Sequence, residues 1–211
     1  MQYSFVDRIL ELEPGKSALG LKHITANDVF LRKSADGPAL RSCIVAEALG
    51  QLGAWCVIAA TGFRLRPVAG VVGEVRILGE APLGETVRLE TKIDSLTEEA
   101  VVYHATATVR GRPIVELQDG LGPFLPMEQF SDPEQVRRHF AWIHRPGRPP
   151  ELPEGRAVEP APSEVGAAAP SDRSDAALPG PASPTRFDRI LTLTPGREAS
   201  AVKHVSIQLP F

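Results

Sequence analysis

A chain of 211 residues with a formal net charge of -3, 43% hydrophobic and 23% charged, has the make-up of a soluble globular protein with room for one full core and a tail, or for two small domains. Its 23 Lys and Arg residues are scattered rather than gathered into a stripe, so the electrostatic footprint of a nucleic-acid binder is missing. The two cysteines, Cys43 and Cys56, have no His or third Cys at metal-ligand spacing; they read as buried free thiols of a reducing compartment, with no metal or other cofactor expected.

The opening MQYSFVDRIL lacks the basic start and continuous apolar run of a secretory signal, so a cytoplasmic location is the expectation. From Phe5 to Ile24, Leu10 and Leu12 alternate with Glu11 and Glu13, and Pro14-Gly15-Lys16 supplies a turn, which predicts a hairpin-like pair of strands. Residues 27–39 show no periodicity and hold Asp36-Gly37-Pro38, a predicted loop. A helix over about 41–60 follows, apolar nearly all round, and therefore expected to lie in a core with protein on every side. Its length is near that of a membrane span. Glu47 and Gln51 stand well inside it, and a carboxylate in a bilayer costs about 2.5–3.5 kcal/mol even on the lenient scale, so no span is expected.

The runs VAGVVGEVRIL, ETVRLETKIDSL, AVVYHATATVR and PIVELQDG are rich in Val, Ile and Thr and separated by turn residues. Strands wrapped around one long apolar helix make an α+β arrangement. Asp132, Pro133 and Gln135 mark a helix start, with Val136, Phe140 and Ile143 on one face. In residues 145–185, 10 of 41 are Pro and none is aromatic. Such a segment cannot bury enough apolar area to offset its ordering entropy and reads as a disordered Pro/Ala-rich linker.

Beyond it the sequence returns to its beginning. VDRILELEPGKSALGLKHITANDVF over FDRILTLTPGREASAVKHVSIQLPF matches at 11 of 25 positions with a constant offset of 181, the mark of a duplicated domain. The predicted organisation is 1–143 as one domain, 144–185 as linker and 186–211 as the first strands of a second, partial copy, so that either the chain is a fragment of a longer protein or residues 187–211 pair with another sheet.

FVDRILELEPGKSALGLKHITANDVF resembles the opening of the FabZ-like and FabA-like 3-hydroxyacyl-acyl-carrier-protein dehydratases. VAEALGQ at 45–51 resembles the start of their central helix, and VAGVVGEVRILGEAPLGETV extends the likeness over roughly residues 5–120. The resemblance implies a hot-dog fold, an antiparallel sheet wrapped around the long helix, working as a dimer of two such units or paired with a second hot-dog domain. It implies acyl-carrier protein as partner, presenting the substrate on a phosphopantetheine arm.

In that family a His from a Gly-His-Phe-Pro-Gly loop takes the proton next to the thioester carbonyl, a helix carboxylate of the opposite unit handles the departing hydroxyl, and a backbone N–H at the helix start polarises the carbonyl. Glu47 matches the carboxylate and Gln51 the polar residue one turn later. Arg41, Ser42 and Cys43 fall at the substrate-binding helix start. The His position falls on Lys33 or Ser34, so the base is missing. His23 and His104 read as structural strand residues. Three functions compete: an incomplete dehydratase unit that contributes Glu47 to a site shared with a second unit; a non-catalytic acyl-thioester binder or structural half; and a thioesterase using the helix carboxylate. Trp55, Val57 and Ile58 are candidates for the far end of an acyl pocket.

Overall fold

A computed structural model describes residues 4–68 and 70–147, together with the backbone of 189–194 and 198–202. Strands β1 (Arg8–Glu13) and β2 (Ser17–His23) form the predicted hairpin. The Lys16 N–H donates to the Glu13 carbonyl at 2.9 Å. Gly15 has φ +75°, the left-handed conformation needed after Pro at the second central position of a type II turn. Next come β3 (Leu31–Ser34) and β4 (Gly37–Leu40), a second antiparallel hairpin lying where the sequence predicted a loop. Four-residue strands are too short to show a period. This pair is held by long-range contacts: Arg32 and Ser34 both bond Glu80, and Ala39 and Leu40 are buried.

Helix α1 (Ser42–Ala60) is followed by β5 (Leu65–Pro67), β6 (Val71–Ile77), β7 (Ala81–Pro82), β8 (Thr86–Leu96), β9 (Ala100–Val109) and β10 (Arg112–Pro126). The main sheet runs β1-β2-β8-β9-β10, with β5 and β6 both on the far edge of β10, every pairing antiparallel. Strands β3, β4 and β7 make a separate small sheet. The main sheet curls around α1. Val45, Ala48, Leu49, Leu52 and Cys56 of the helix meet Val87, Leu89, Ala105, Ala107, Val115 and Leu117 of the sheet, alternate residues of β8 and β9 turning inward as the period of two requires. This is the hot-dog fold.

After a single 3₁₀ turn (Met127–Gln129) the chain enters α2 (Pro133–Ile143). The Asp132 carboxylate accepts the Glu134 N–H at 3.0 Å, the predicted cap with Pro133 first in the helix. The inward face of α2 carries Val136, His139, Phe140 and Ile143, and Ile143 is fully buried. Beyond α2 the Arg145 N–H donates to the Ile9 carbonyl at 2.9 Å. Thus α2 straps the open side of the curl from the end of β10 back to β1. It covers only the C-terminal half of α1: Trp55 packs against His139 and Phe140 at ring separations of 5.5 and 5.8 Å, whereas Cys43 and Glu47 are exposed. The expectation of a helix enclosed on every side is therefore corrected. So is the expectation of two buried thiols, because Cys56 alone is buried. Although α1 is long and apolar enough to cross a bilayer, it serves here as the core helix of the sheet.

An ionic cluster lies inside the β1–β2 end. Lys22 is 1% exposed, with Nζ 3.4 Å from Asp7 Oδ2 and 3.1 Å from Asp28 Oδ1. Asp7 also accepts the His23 N–H at 2.7 Å. Asp28 accepts the Thr25 N–H at 2.6 Å and the Thr25 hydroxyl at 3.0 Å.

Strands β11 (Arg189–Thr194) and β12 (Glu198–Val202) form a hairpin whose pairs run from Arg189 opposite Val202 to Thr194 opposite Glu198. Each pair is a β1–β2 pair shifted by 181, including the irregularity at Ile190/Thr192 that matches Ile9/Glu11. The repeated sequence thus carries a repeated backbone register. Most of the predicted linker, 148–185, and the rest of the predicted second copy lie outside the described residues.

Candidate functional site

A cavity of about 490 Å³ runs between α1 and the β6 and β10 edge of the main sheet. Cys43, Ala46, Glu47, Gly50, Gln51 and Ala54 line it, and these residues recur every three or four positions along one side of the helix. The opposite wall is Val71, Val72 and Val75 of β6 with Leu117 and Leu121 of β10. Trp55 and Ile58 stand at one end with Val136 and His139 of α2.

The sequence-predicted pair is brought together as expected from one helical turn. Gln51 Nε2 donates to Glu47 Oε1 at 3.1 Å, and Gln51 Oε1 accepts the Phe5 N–H at 2.8 Å. Gln51 therefore tethers the carboxylate to the segment leading into β1. Of the predicted helix-start residues, Cys43 lines the cavity. Arg41 is the exposed residue preceding the helix and Ser42 its first member, and neither is in the lining. Lys33 and Ser34 are absent from the lining as well: Lys33 is exposed on β3, and Ser34 donates to Glu80. Trp55 and Ile58 reach the cavity, whereas Val57 is fully buried outside its lining, which removes it from the pocket end. His23 Nδ1 lies 3.0 Å from Thr86 Oγ1, and His104 Nδ1 lies 2.8 Å from Asp94 Oδ1, both away from the cavity.

Three lining residues escaped the sequence reading. Arg66 lays its guanidinium over the Phe130 ring at 4.8 Å, where burial lowers its pKa and the Glu47 charge opposes that shift. Tyr103 of β9 has its pKa raised, first by burial and then by Glu47. His139 sits against Trp55, and burial holds its pKa at about 4. Spacing offered one usable sign, since His139 stands three residues after Val136 on the apolar face of α2.

His139 and Asp7 titrate inside the fold with opposite effects. Burial raises Asp7 from 3.8 to about 6, so its contribution to stability is full below pH 3.8 and is lost as pH rises through about 6. The contribution of His139 is full above pH 6.5 and is lost as pH falls through about 4. Each amounts to about 3 kcal/mol at most, so they nearly cancel and the stability of the unaltered chain is expected to be flat from pH 4 to 6. Asp7→Asn should lose stability on acidification across that window, and His139→Phe should gain it. Urea unfolding at pH 4.5 and 6.5 checks this; equal slopes in all three proteins would refute the assignment.

The curled sheet, its central helix and the carboxylate at the cavity mouth define a hot-dog domain with a pocket along its helix. No family model matches the chain. It is 30% identical over 118 residues to the 3-hydroxyacyl-acyl-carrier-protein dehydratase FabZ of Clostridium botulinum (strain Loch Maree), a match covering 55% of this chain and 82% of that protein. To FabZ of Caldicellulosiruptor saccharolyticus it is 31% identical over 116 residues, 54% of this chain and 83% of that protein. Among solved structures, the PaaI protein of the Escherichia coli phenylacetic acid degradation operon is 12% identical with a TM-score of 0.44, covering 56% of this chain and 80% of PaaI. The chain belongs to the FabZ family of 3-hydroxyacyl-acyl-carrier-protein dehydratases.

Proposed function

We propose that this chain is a dehydratase-type unit of cytoplasmic fatty-acid synthesis that binds 3-hydroxyacyl thioesters of acyl-carrier protein and contributes Glu47, oriented by Gln51, to an active site shared with a second hot-dog unit. The observation that carries the reading is the placement of Glu47: a carboxylate exposed at the mouth of an apolar cavity, tied in position by a side-chain amide. In the reaction a base removes a proton from C2 of the acyl group while the acid form of a carboxyl protonates the C3 hydroxyl, which leaves as water. Glu47 is the proton donor to that hydroxyl. With Lys33 or Ser34 standing at the His position of this unit, and so of any second copy of it, the base comes from the domain whose first hairpin is 189–202.

Two features support a partner on this side. All seven residues of β6 are exposed, Val71 to 66% and Ile77 to 64%. The outer edge of β6 pairs with nothing among the described residues, and an uncovered apolar edge strand is a template for pairing.

Thioester hydrolysis is the second reading, favoured by the access of Glu47 to water. One assay separates the two: the full chain is given a 3-hydroxyacyl, an enoyl and a saturated acyl pantetheine thioester. The proposal expects binding with very slow dehydration, because an absent general base forgoes about 10²–10⁴-fold in rate. Free thiol released from all three identifies a thioesterase. A robust dehydration rate from the chain alone, or no binding, overturns the shared-site reading.

A further inference from the structure

Tyr103 rises from β9 toward α1, and its side chain packs beside three glycines. A Cβ built on Gly50 would lie 3.4 Å from the Tyr103 hydroxyl oxygen, one on Gly53 would lie 3.4 Å from the ring, and one on Gly120 of β10 would lie 2.8 Å from Cε1 and Cζ. Gly120 is the position the ring requires, since a Cβ there would clash, while Gly50 and Gly53 bring α1 to contact distance of the ring and its hydroxyl. The hydroxyl end passes Gly50, one turn from Glu47, and joins the cavity lining. The ring packs against the core cluster, while the hydroxyl makes no hydrogen bond to a protein group among the described residues. Tyr103 is half-buried, so its O–H is open to a molecule in the cavity, with Glu47 as the charge acting on it.

We infer that Tyr103 is the specificity-determining donor of this cavity, its phenolic O–H meeting an oxygen at C3 of a bound acyl chain, so that 3-oxygenated acyl groups are preferred over saturated ones. This rests on the thioester reading proposed above and adds to it the residue that distinguishes the two acyl classes. Ring and hydroxyl have separate jobs: the ring packs beside the glycines, and the O–H reads the ligand. Burial and the neighbouring Glu47 charge both favour the protonated phenol, the form that donates.

The test uses the full chain and two probes, the pantetheine thioesters of octanoic and 3-hydroxyoctanoic acid, with dissociation constants measured by calorimetry. Tyr103→Phe keeps the ring, and its circular dichroism spectrum and urea midpoint check that the fold is retained. Affinity for the 3-hydroxy probe is expected to fall about 3- to 10-fold, the worth of one neutral hydrogen bond, with the saturated probe unaffected. Equal losses for both probes, or no loss for either, overturn the inference and leave the thioester reading standing. If the unaltered chain binds neither probe, the thioester reading fails and the inference falls with it.

Discussion

Lys22→Met is expected to destabilise the fold by about 3–5 kcal/mol, since removing one partner of a buried ion cluster leaves uncompensated charge. Lys22 is the largest fully buried side chain in the domain and lies between two carboxylates, each of them buried. Methionine matches its stem and would pack as well, so the loss isolates the ammonium. Domain stabilities are commonly 5–15 kcal/mol, which makes this a substantial fraction of the total. The penalty should shrink on acidification, because Asp7, already raised to about 6, then sheds its charge. Adding Asp7→Asn to Lys22→Met should restore part of the loss for the same reason. Urea midpoints of the two variants at pH 7 and pH 5 decide the matter; a loss below about 1 kcal/mol at pH 7 means that water reaches the cluster.

Glu47→Gln is expected to lower the thioester turnover of the assembled protein by about 10²–10⁴-fold, the usual contribution of a positioned acid or base. Glutamine keeps the shape and can still bond Gln51, so binding of a 3-hydroxyacyl thioester should change little while the rate collapses. The loss should appear in kcat rather than KM, as for an interaction made chiefly in the transition state. Because Glu47 is exposed at the cavity mouth, the substitution removes no buried ion pair and should leave the urea midpoint near its original value. Turnover at the unmodified rate would exclude Glu47 from the chemistry and leave this domain as a binding or structural half.

How much of this was legible beforehand follows the range of the interactions involved. The Pro-Gly turn, the Asp132 cap and the inward face of α2 depend on neighbours within a few positions, and each was readable from residue types alone. The Glu47–Gln51 contact spans one helical turn and was equally visible. The β3–β4 hairpin was not, because contacts to Glu80 and burial of Ala39 and Leu40 hold four-residue strands together across long sequence separations. Tyr103 and Arg66 escaped for the same reason: a strand residue becomes a cavity residue only when a distant helix presents glycines to it or a distant ring accepts its charge.

By itself, then, the sequence determined the α+β class, the family, the long apolar helix with its carboxylate, and a recurrence at 181 residues that the β11–β12 register repeats at the level of the backbone. Only the tertiary structure decided which face of that helix stays open. An all-round apolar helix has no periodic signal to say where its cover ends; the cover ends where α2, anchored at β10 and β1, runs out of length over Trp55 and leaves Glu47 exposed.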